Sequence, residues 1–259
     1  MSVTQLFPTP ASSTSITYNA ISGTAISDDL MKSCAQLFST NYGIWGENAT
    51  SISKYIKPGQ PVKMTDSKLR SQSVSIPDHT VLVTCFHHEK LVGHAFASVW
   101  SFEGGVVGWI TQLVVDRSLR RRYIATQLLQ TLKLHPLFQR VTVVGLVSSH
   151  PAACTALAKY SNVDVHAVDL SFIREHATKV LEASPVDYIK SAQLRGDLFQ
   201  ENSDTGAVSS AFTEFYVDHA EPSKALKQFK AKGKWCLGEL LEGHEYLALF
   251  PVSPGRALE

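Results

Sequence analysis

Between Ser27 and Phe38 the apolar residues Leu30, Cys34, Leu37 and Phe38 recur at helical spacing behind Ser27 and two acids, Asp28 and Asp29. Ser27 can cap the backbone N–H groups of the first turn and the acids favour its positive end, so an amphipathic helix is predicted here. A short strand-like run, Ser15-Ile16-Thr17-Tyr18, precedes it, and Gly43-Ile44-Trp45-Gly46 ends it. After the Pro/Gly-bearing stretch Lys57-Pro58-Gly59-Gln60-Pro61 comes a weaker helical pattern from Asp66 to Gln72. At Thr80 the rhythm changes. Three runs, Thr80 to Phe86, Leu91 to Trp100 and Val106 to Val115, are separated by the short polar or Gly-bearing connections His87-His88-Glu89-Lys90 and Phe102-Glu103-Gly104-Gly105, which predicts an antiparallel meander. Ile124, Leu128 and Leu132 then mark a helix reaching His135, followed by an apolar run from Val141 to Val147 and a helix after His150-Pro151.

Two further helical patterns follow, Phe172 to Ala183 and Pro185 to Leu198, the second opened by Ser184-Pro185. A polar loop leads to a strand from Ala211 to Val217, a helix opened by Glu221-Pro222, with Glu221 as its cap, and a last strand from Tyr246 to Phe250. Antiparallel strands that lead into a crossover helix and a parallel strand define an α/β (α+β) class with a mixed, mostly antiparallel sheet flanked by helices. Residues 1–14, rich in Ser, Thr and Pro, are expected to form a flexible tail, with one domain over 15–255 and a frayed end after Pro251. The two helices within 169–200 read as an insertion beyond a minimal domain.

Composition narrows the function. With 24 Lys plus Arg against 23 Asp plus Glu, the 259-residue chain has no strongly basic field of the kind that drives binding to nucleic acid or anionic membranes. At 44% hydrophobic it can bury a sizeable core, yet no apolar stretch approaches the roughly 18 residues needed to cross a bilayer. The start, MSVTQLFPTPASSTS, lacks the cationic and apolar regions of a secretory signal. Cys34, Cys85, Cys154 and Cys236 are far apart and form neither a metal-ligand spacing nor a disulfide framework, so reduced thiols in a cytoplasm and no metal are expected.

The window that carries chemistry is Leu113-Val114-Val115-Asp116-Arg117-Ser118-Leu119-Arg120-Arg121-Arg122-Tyr123-Ile124-Ala125-Thr126, where an apolar strand meets a basic turn and then the start of an amphipathic helix. Unpaired N–H groups at a helix N-terminus, together with the positive end of its dipole, bind phosphate by backbone alone, and Arg120, Arg121 and Arg122 add charge around them. Ala125 and Thr126 keep the turn small enough for close approach. The window resembles the acyl-CoA signature of the GCN5-related N-acetyltransferases (GNAT), which is Arg or Gln, two residues, Gly, one residue, then Gly or Ala. Here it reads Arg120-Arg121-Arg122-Tyr123-Ile124-Ala125, with Tyr123 where the family has Gly. The element order, a strand, two helices and a meander before the signature, is similar as well.

The resemblance implies a sheet splayed between its fourth and fifth strands to admit acetyl-CoA. Backbone groups of Leu113, Val114 and Val115 would pair with the pantetheine arm, and Arg120, Arg121, Arg122, Tyr123, Ile124, Ala125 and Thr126 would hold the pyrophosphate. An amine, on a small molecule or a peptide, would attack the thioester directly. In the family a Tyr on the helix after the fifth strand commonly protonates the departing thiolate. Ala153-Cys154-Thr155-Ala156-Leu157-Ala158-Lys159-Tyr160 is similar to that helix and makes Tyr160 the candidate acid. A register starting at His150 instead puts Leu157 there and leaves no acid. His150, where the fifth strand meets its helix, is a candidate base because imidazole titrates near neutrality, although Ser148-Ser149-His150-Pro151 reads first as a helix start, with Pro151 in the first turn.

Other positions have quieter readings. The fourth-strand segment Gly108-Trp109-Ile110-Thr111-Gln112 offers no carboxylate base, His94 reads as a sheet histidine, and Tyr42 and Trp45 lie where the family builds one wall of the acceptor pocket or pack into the core. Asp218, His219 and Glu221 lie near the expected substrate mouth. The insertion suits either a cover over the acceptor site or a homodimer surface. A non-catalytic acyl-CoA-binding or interaction module on the same fold is the rival reading, since fold does not imply function, and an RNA-binding role for the arginine triplet comes last.

Overall fold

The computed structural model describes residues 16–201 and 203–252, so the expected tail at 1–14 and the chain end beyond 252 lie outside the described residues. Eight strands form one sheet in the order β1-β2-β3-β4-β5-β8-β7-β6. They are β1 (Ile16–Ser22), β2 (Thr80–His87), β3 (Lys90–Phe102), β4 (Gly105–Val115), β5 (Val143–Ser148), β6 (Gln193–Arg195), β7 (Ser210–Phe212) and β8 (His244–Pro251). Only β4 and β5 run parallel, and every other neighbouring pair is antiparallel. The meander is the expected one, and its first turn is tight because His88 and Glu89 both adopt left-handed backbone (φ 47° and 61°), the twist that suits a two-residue hairpin.

The helices are α1 (Asp28–Asn41), α2 (Asp66–Ser73), α3 (Ile124–Leu132), α4 (Pro151–Tyr160), α5 (Leu170–Glu182), the single turn α6 (Asp187–Lys190) and α7 (Ala220–Ala231). Ser27 caps α1 through the Leu30 N–H, as the sequence predicts. Strand alternation assigns the layers. Phe96, Ser98 and Trp100 share one face of β3. Phe96 joins the apolar cluster of Met31, Cys34, Leu37, Phe38 and Leu69 from α1 and α2, and the Trp100 indole N–H donates to the Val180 carbonyl of α5 at 3.2 Å. The alternate residues face α3, where a side chain at Gly93 would meet Ile124 and Leu128.

Three expectations change. The helix expected from Pro185 to Leu198 is only α6 followed by β6, an edge strand paired with β7, so the segment 169–200 is not purely helical. Gly196, at φ +95°, sits where a Cβ would lie 2.7 Å from the Val208 carbonyl oxygen, and that close approach seats the edge strand. The strand expected from Ala211 to Val217 ends at Phe212, because Glu214 turns left-handed (φ 56°) and Val217 bridges Trp45 instead. The helix expected to open at Pro222 begins at Ala220, with the Asp218 carboxylate accepting from its N–H at 2.9 Å. Glu221 is therefore not its cap.

Candidate active site

The parallel pairing of β4 and β5 lasts three rungs, from Val107 opposite Val143 to Trp109 opposite Gly145. Beyond that point β4 continues to Val115 against β3 alone, and β5 continues to Ser148 against β8 alone, so the sheet opens as a wedge. Two local features set the opening. Trp109 packs directly on Gly145, where a Cβ would lie 2.5 Å from the indole ring. Two residues on, the register against β3 skips Thr111: Ala97 pairs with Ile110 and Phe96 with Gln112, which makes Thr111 the extra residue of a β-bulge. A bulge bends its strand and re-aims the groups beside it. The Thr111 carbonyl accepts a hydrogen bond from the Tyr188 hydroxyl of α6 at 3.0 Å, while the buried Thr111 Oγ1 and Trp109 Nε1 have no partner among the described residues. The Asp116 N–H donates to the Val92 carbonyl of β3 at 2.8 Å, so by strand alternation Val114 also bonds β3, while the backbone groups of Leu113 and Val115 face the opening, where no strand among the described residues pairs with them.

β4 runs straight into the arginine loop. Arg121 and Tyr123 are both left-handed, and Tyr123 holds φ 61°, ψ 11° with its ring 78% exposed. This is the backbone region that glycine enters most easily, so the chain keeps a glycine-like course without the glycine. Among the described residues the N–H groups of Arg121, Arg122 and Tyr123 donate to no backbone acceptor. Those of Ile124, Ala125 and Thr126 open α3, whose first bond runs from Gln127 to Tyr123. Six consecutive donors beside two exposed arginines, Arg121 and Arg122, form a cradle whose chemistry fits the pyrophosphate of acetyl-CoA.

Arg120 does something different from its neighbours. Its guanidinium pairs with Glu221 at the start of α7 and donates to the Asn41 carbonyl that ends α1, and its Nε reaches the Val115 carbonyl at 3.4 Å. Arg117 N donates to Asn41 Oδ1 at 2.8 Å. Arg120 therefore ties the end of β4 to α1 and α7 and braces the loop. His150 joins this group: its Nδ1 accepts from the Ala152 N–H at 3.1 Å, capping α4, and its Nε2 lies 3.8 Å from Glu221. Burial lowers the His150 pKa, opposed by Glu221 and assisted by Arg120. With Nδ1 occupied as an acceptor, the neutral ring carries its proton on Nε2 toward Glu221. Tyr160 does not join these residues. It is 1% exposed at the far end of α4, with Lys133 over its ring at 4.6 Å, and burial holds its hydroxyl protonated.

A carboxyl outside every motif stands at the mouth of the wedge. Glu245 on β8 lies one residue beyond Tyr246, which pairs with Ser148 at the end of β5. It is 6% exposed, accepts from the Thr213 hydroxyl at 3.0 Å, and is pushed up to about 7 by burial, against the hydrogen bonds from Thr213 and the Ser149 N–H. Tyr42 and Tyr188 are both raised, first by burial and then by the Glu245 charge. Tyr42 stacks on Phe38 and leans on Phe215, which Trp45 meets edge-on. The strand expected from Tyr246 stopped one residue short of this acid; the available signal was a lone Glu beside an apolar run. His94 is fully buried, bonded to Gln112 at 2.8 Å through Nε2, and lowered to about 4 by burial.

Residues 48–154, which contain the bulge, the loop and the start of α4, match the family model of the acetyltransferase (GNAT) family. Over that span the chain is thus similar to the GNAT acetyltransferases, and acetyl-CoA as co-substrate fits that family. Among solved structures, the chain is similar to a GNAT-family acetyltransferase from Streptococcus pneumoniae at 11% identity, with 92% of this chain and 100% of that one covered and a TM-score of 0.42. An aminoglycoside acetyltransferase from an uncultured soil metagenomic sample matches at 18% identity over 57% of this chain and 90% of its own, with a TM-score of 0.39. A glucosamine-6-phosphate N-acetyltransferase from Arabidopsis thaliana matches at 15% identity over 51% and 81%, with a TM-score of 0.33. No curated protein matches the chain. Among the described residues no helix is long and apolar enough to cross a membrane.

Proposed function

We propose that the protein is an acetyl-CoA-dependent N-acetyltransferase whose acceptor amine attacks the thioester directly. The observation that carries this reading is the opening of the sheet beyond Trp109 and Gly145, which leads into six unpartnered backbone donors inside the span that matches the family. The outward-facing backbone groups of Leu113 and the Val115 N–H pair with the pantetheine arm, and Val114 between them holds the strand against β3. The N–H groups of residues 121–126, with Arg121 and Arg122, hold the pyrophosphate, and Arg120 braces the loop through Glu221 and Asn41. The amine nitrogen forms a bond to the carbonyl carbon, the C–S bond breaks, and CoA leaves as a thiolate that is then protonated. Tyr188, by turning its one hydroxyl proton away from the Thr111 carbonyl at the bulge, can donate to the developing negative charge. His150 positions the start of α4 and Arg120's partner Glu221, and Tyr160 packs outside this scheme. The free thiols Cys34, Cys85, Cys154 and Cys236 suit a reducing, cytoplasmic compartment.

The test is a thermal-shift titration with acetyl-CoA and CoA, followed by thiol release in the presence of primary amines. A ligand that binds only the folded state must raise the unfolding temperature. Stabilisation by both nucleotides together with amine-dependent thiol release is expected. Stabilisation without release from any amine would favour a non-catalytic acyl-CoA-binding module, and no stabilisation would remove acetyl-CoA from the site.

A further inference from the structure

The face of β8 that carries Glu245 continues with Leu247 and Leu249, both fully buried. A carboxyl in that row is expensive. Burying an ionised group without a counter-charge costs several kcal/mol, and proteins meet the cost by pairing the group or keeping it protonated. Among the described residues no Lys, Arg or His forms an ion pair with Glu245. The groups that act on it are all neutral: the Thr213 hydroxyl, the Ser149 N–H, the phenols of Tyr42 at the end of α1 and Tyr188 on α6, and the Cys154 thiol of α4. Neutral donors thus serve the carboxyl, and no cationic side chain among the described residues pairs with it.

The location says what could meet the carboxyl. Ser149 follows the last residue of β5, so Glu245 stands on the open side of the wedge and not within its paired base. Tyr188 links the carboxyl to the reacting region, since its phenol feels the Glu245 charge and its hydroxyl reaches the Thr111 carbonyl at the bulge. The same tyrosine also forms part of the wall of a hollow of about 280 Å³, together with Ser71, Gln72, Ser75, Val186 and Asp187. The hollow lies between α2 and the inserted segment, and Tyr188 is the residue it shares with the surroundings of Glu245.

We propose that Glu245 is the proton acceptor of the transfer reaction: the acceptor enters as an ammonium ion, seats against the Glu245 carboxylate, and surrenders one proton to it before attack. The inference rests on the acetyltransferase reading and deepens it by naming the base and the charge state of the substrate. In the balanced step, R–NH3⁺ and the carboxylate become R–NH2 and the carboxylic acid. The freed nitrogen lone pair forms the C–N bond as the C–S bond breaks, and the second nitrogen proton passes to the thiolate. The carboxylic acid returns its proton to water when product leaves. An apolar surrounding favours the transfer, because a neutral amine and a neutral acid cost less to bury than the separated charges. A carboxyl held near neutrality is suited to this task, since a base works best with a pKa near the operating pH.

The experiment compares the wild-type protein with Glu245→Gln and Glu245→Asp, using phenethylamine, spermidine, glucosamine and a short peptide as acceptors and thiol release as the signal. Glutamine keeps the shape and can still accept from Thr213, and acetyl-CoA binding measured by calorimetry reports that the fold and cofactor site survive. Glu245→Gln is expected to lower kcat/KM by about 10²-fold or more, within the range for loss of a general base. It should also abolish the low-pH limb of the profile, leaving a rate that climbs toward high pH with the amine's own ionisation. Glu245→Asp should restore the limb at reduced kcat. A purely structural carboxyl would leave the limb in place, so a Glu245→Gln enzyme within about threefold of wild type, with the limb intact, overturns the proposal. A wild-type protein that binds acetyl-CoA but turns over none of the amines overturns the acetyltransferase reading and this inference with it.

Discussion

Tyr123 is the point at which the chain departs from the glycine of the GNAT signature it resembles, and replacing it with Gly tests whether backbone conformation alone holds the cradle. The residue sits at φ 61°, ψ 11°, where an L side chain costs roughly 1–2 kcal/mol and Gly costs nothing steric. Gly returns about 0.5–1 kcal/mol of that gain as extra freedom in the unfolded chain. The ring contributes little to packing because it is 78% exposed. The difference leaves Tyr123→Gly between neutral and about 1.5 kcal/mol more stable. At roughly 2–4 °C per kcal/mol for a domain of this size, the unfolding temperature should rise by no more than about 6 °C. Acetyl-CoA affinity by calorimetry should stay within about threefold, since the donors of residues 121–126 keep their positions. Tyr123→Val should do the opposite. A β-branched residue is a genuine outlier in this region, at a cost of about 1–3 kcal/mol, and the displaced loop should lose at least tenfold in affinity. A tenfold loss in Tyr123→Gly with stability retained would refute the reasoning, because it would mean the phenol ring itself holds the cofactor.

Gly145→Ala would press a methyl group into the Trp109 indole at 2.5 Å, and overpacking of this kind should cost about 1–3 kcal/mol in urea denaturation; unchanged stability would mean that the ring does not close the base of the wedge. Arg122→Glu places a like charge beside the pyrophosphate and should weaken acetyl-CoA binding roughly tenfold at low salt and less at high salt, while an unchanged affinity would remove the loop from the site. Glu245 should make stability depend on pH independently of any activity. Its folded pKa of about 7 is raised from 4.5, so its contribution is full below about pH 4.5 and is lost as pH rises through 7, a change of about 3 kcal/mol that Glu245→Gln should flatten. Parallel stability curves for the two proteins would show that the carboxyl is not held near neutrality.

What the sequence made legible was whatever is written in local periodicity. Ser27, Asp28 and Asp29 fix the start of α1 by capping and charge, and the alternating runs of β2, β3 and β4 are long enough that their hairpin turns, at His88-Glu89 and Gly104-Gly105, have no competing position. The local course of the arginine loop was legible for the same reason, since a strand end followed by a helix start is written in local pattern. Roles that depend on tertiary placement were not. Tyr160 and Tyr188 are both tyrosines near helix ends, and nothing in their neighbours along the chain tells that one lies under Lys133 while the other crosses the sheet opening to Thr111. Arg120 and Arg122 are two residues apart, yet one is consumed by Glu221 and Asn41 and the other is exposed to solvent. Glu245 is the clearest case. Its neighbours Gly243 and His244 make it look like turn, whereas it pairs with Ala211 of β7 and is buried beside Tyr42 and Tyr188, which are about 203 and 57 positions away in the chain. A base contributed by the strand that closes the wedge is set by sheet order, in which β8 lies beside β5, and sheet order is the property that local pattern constrains least.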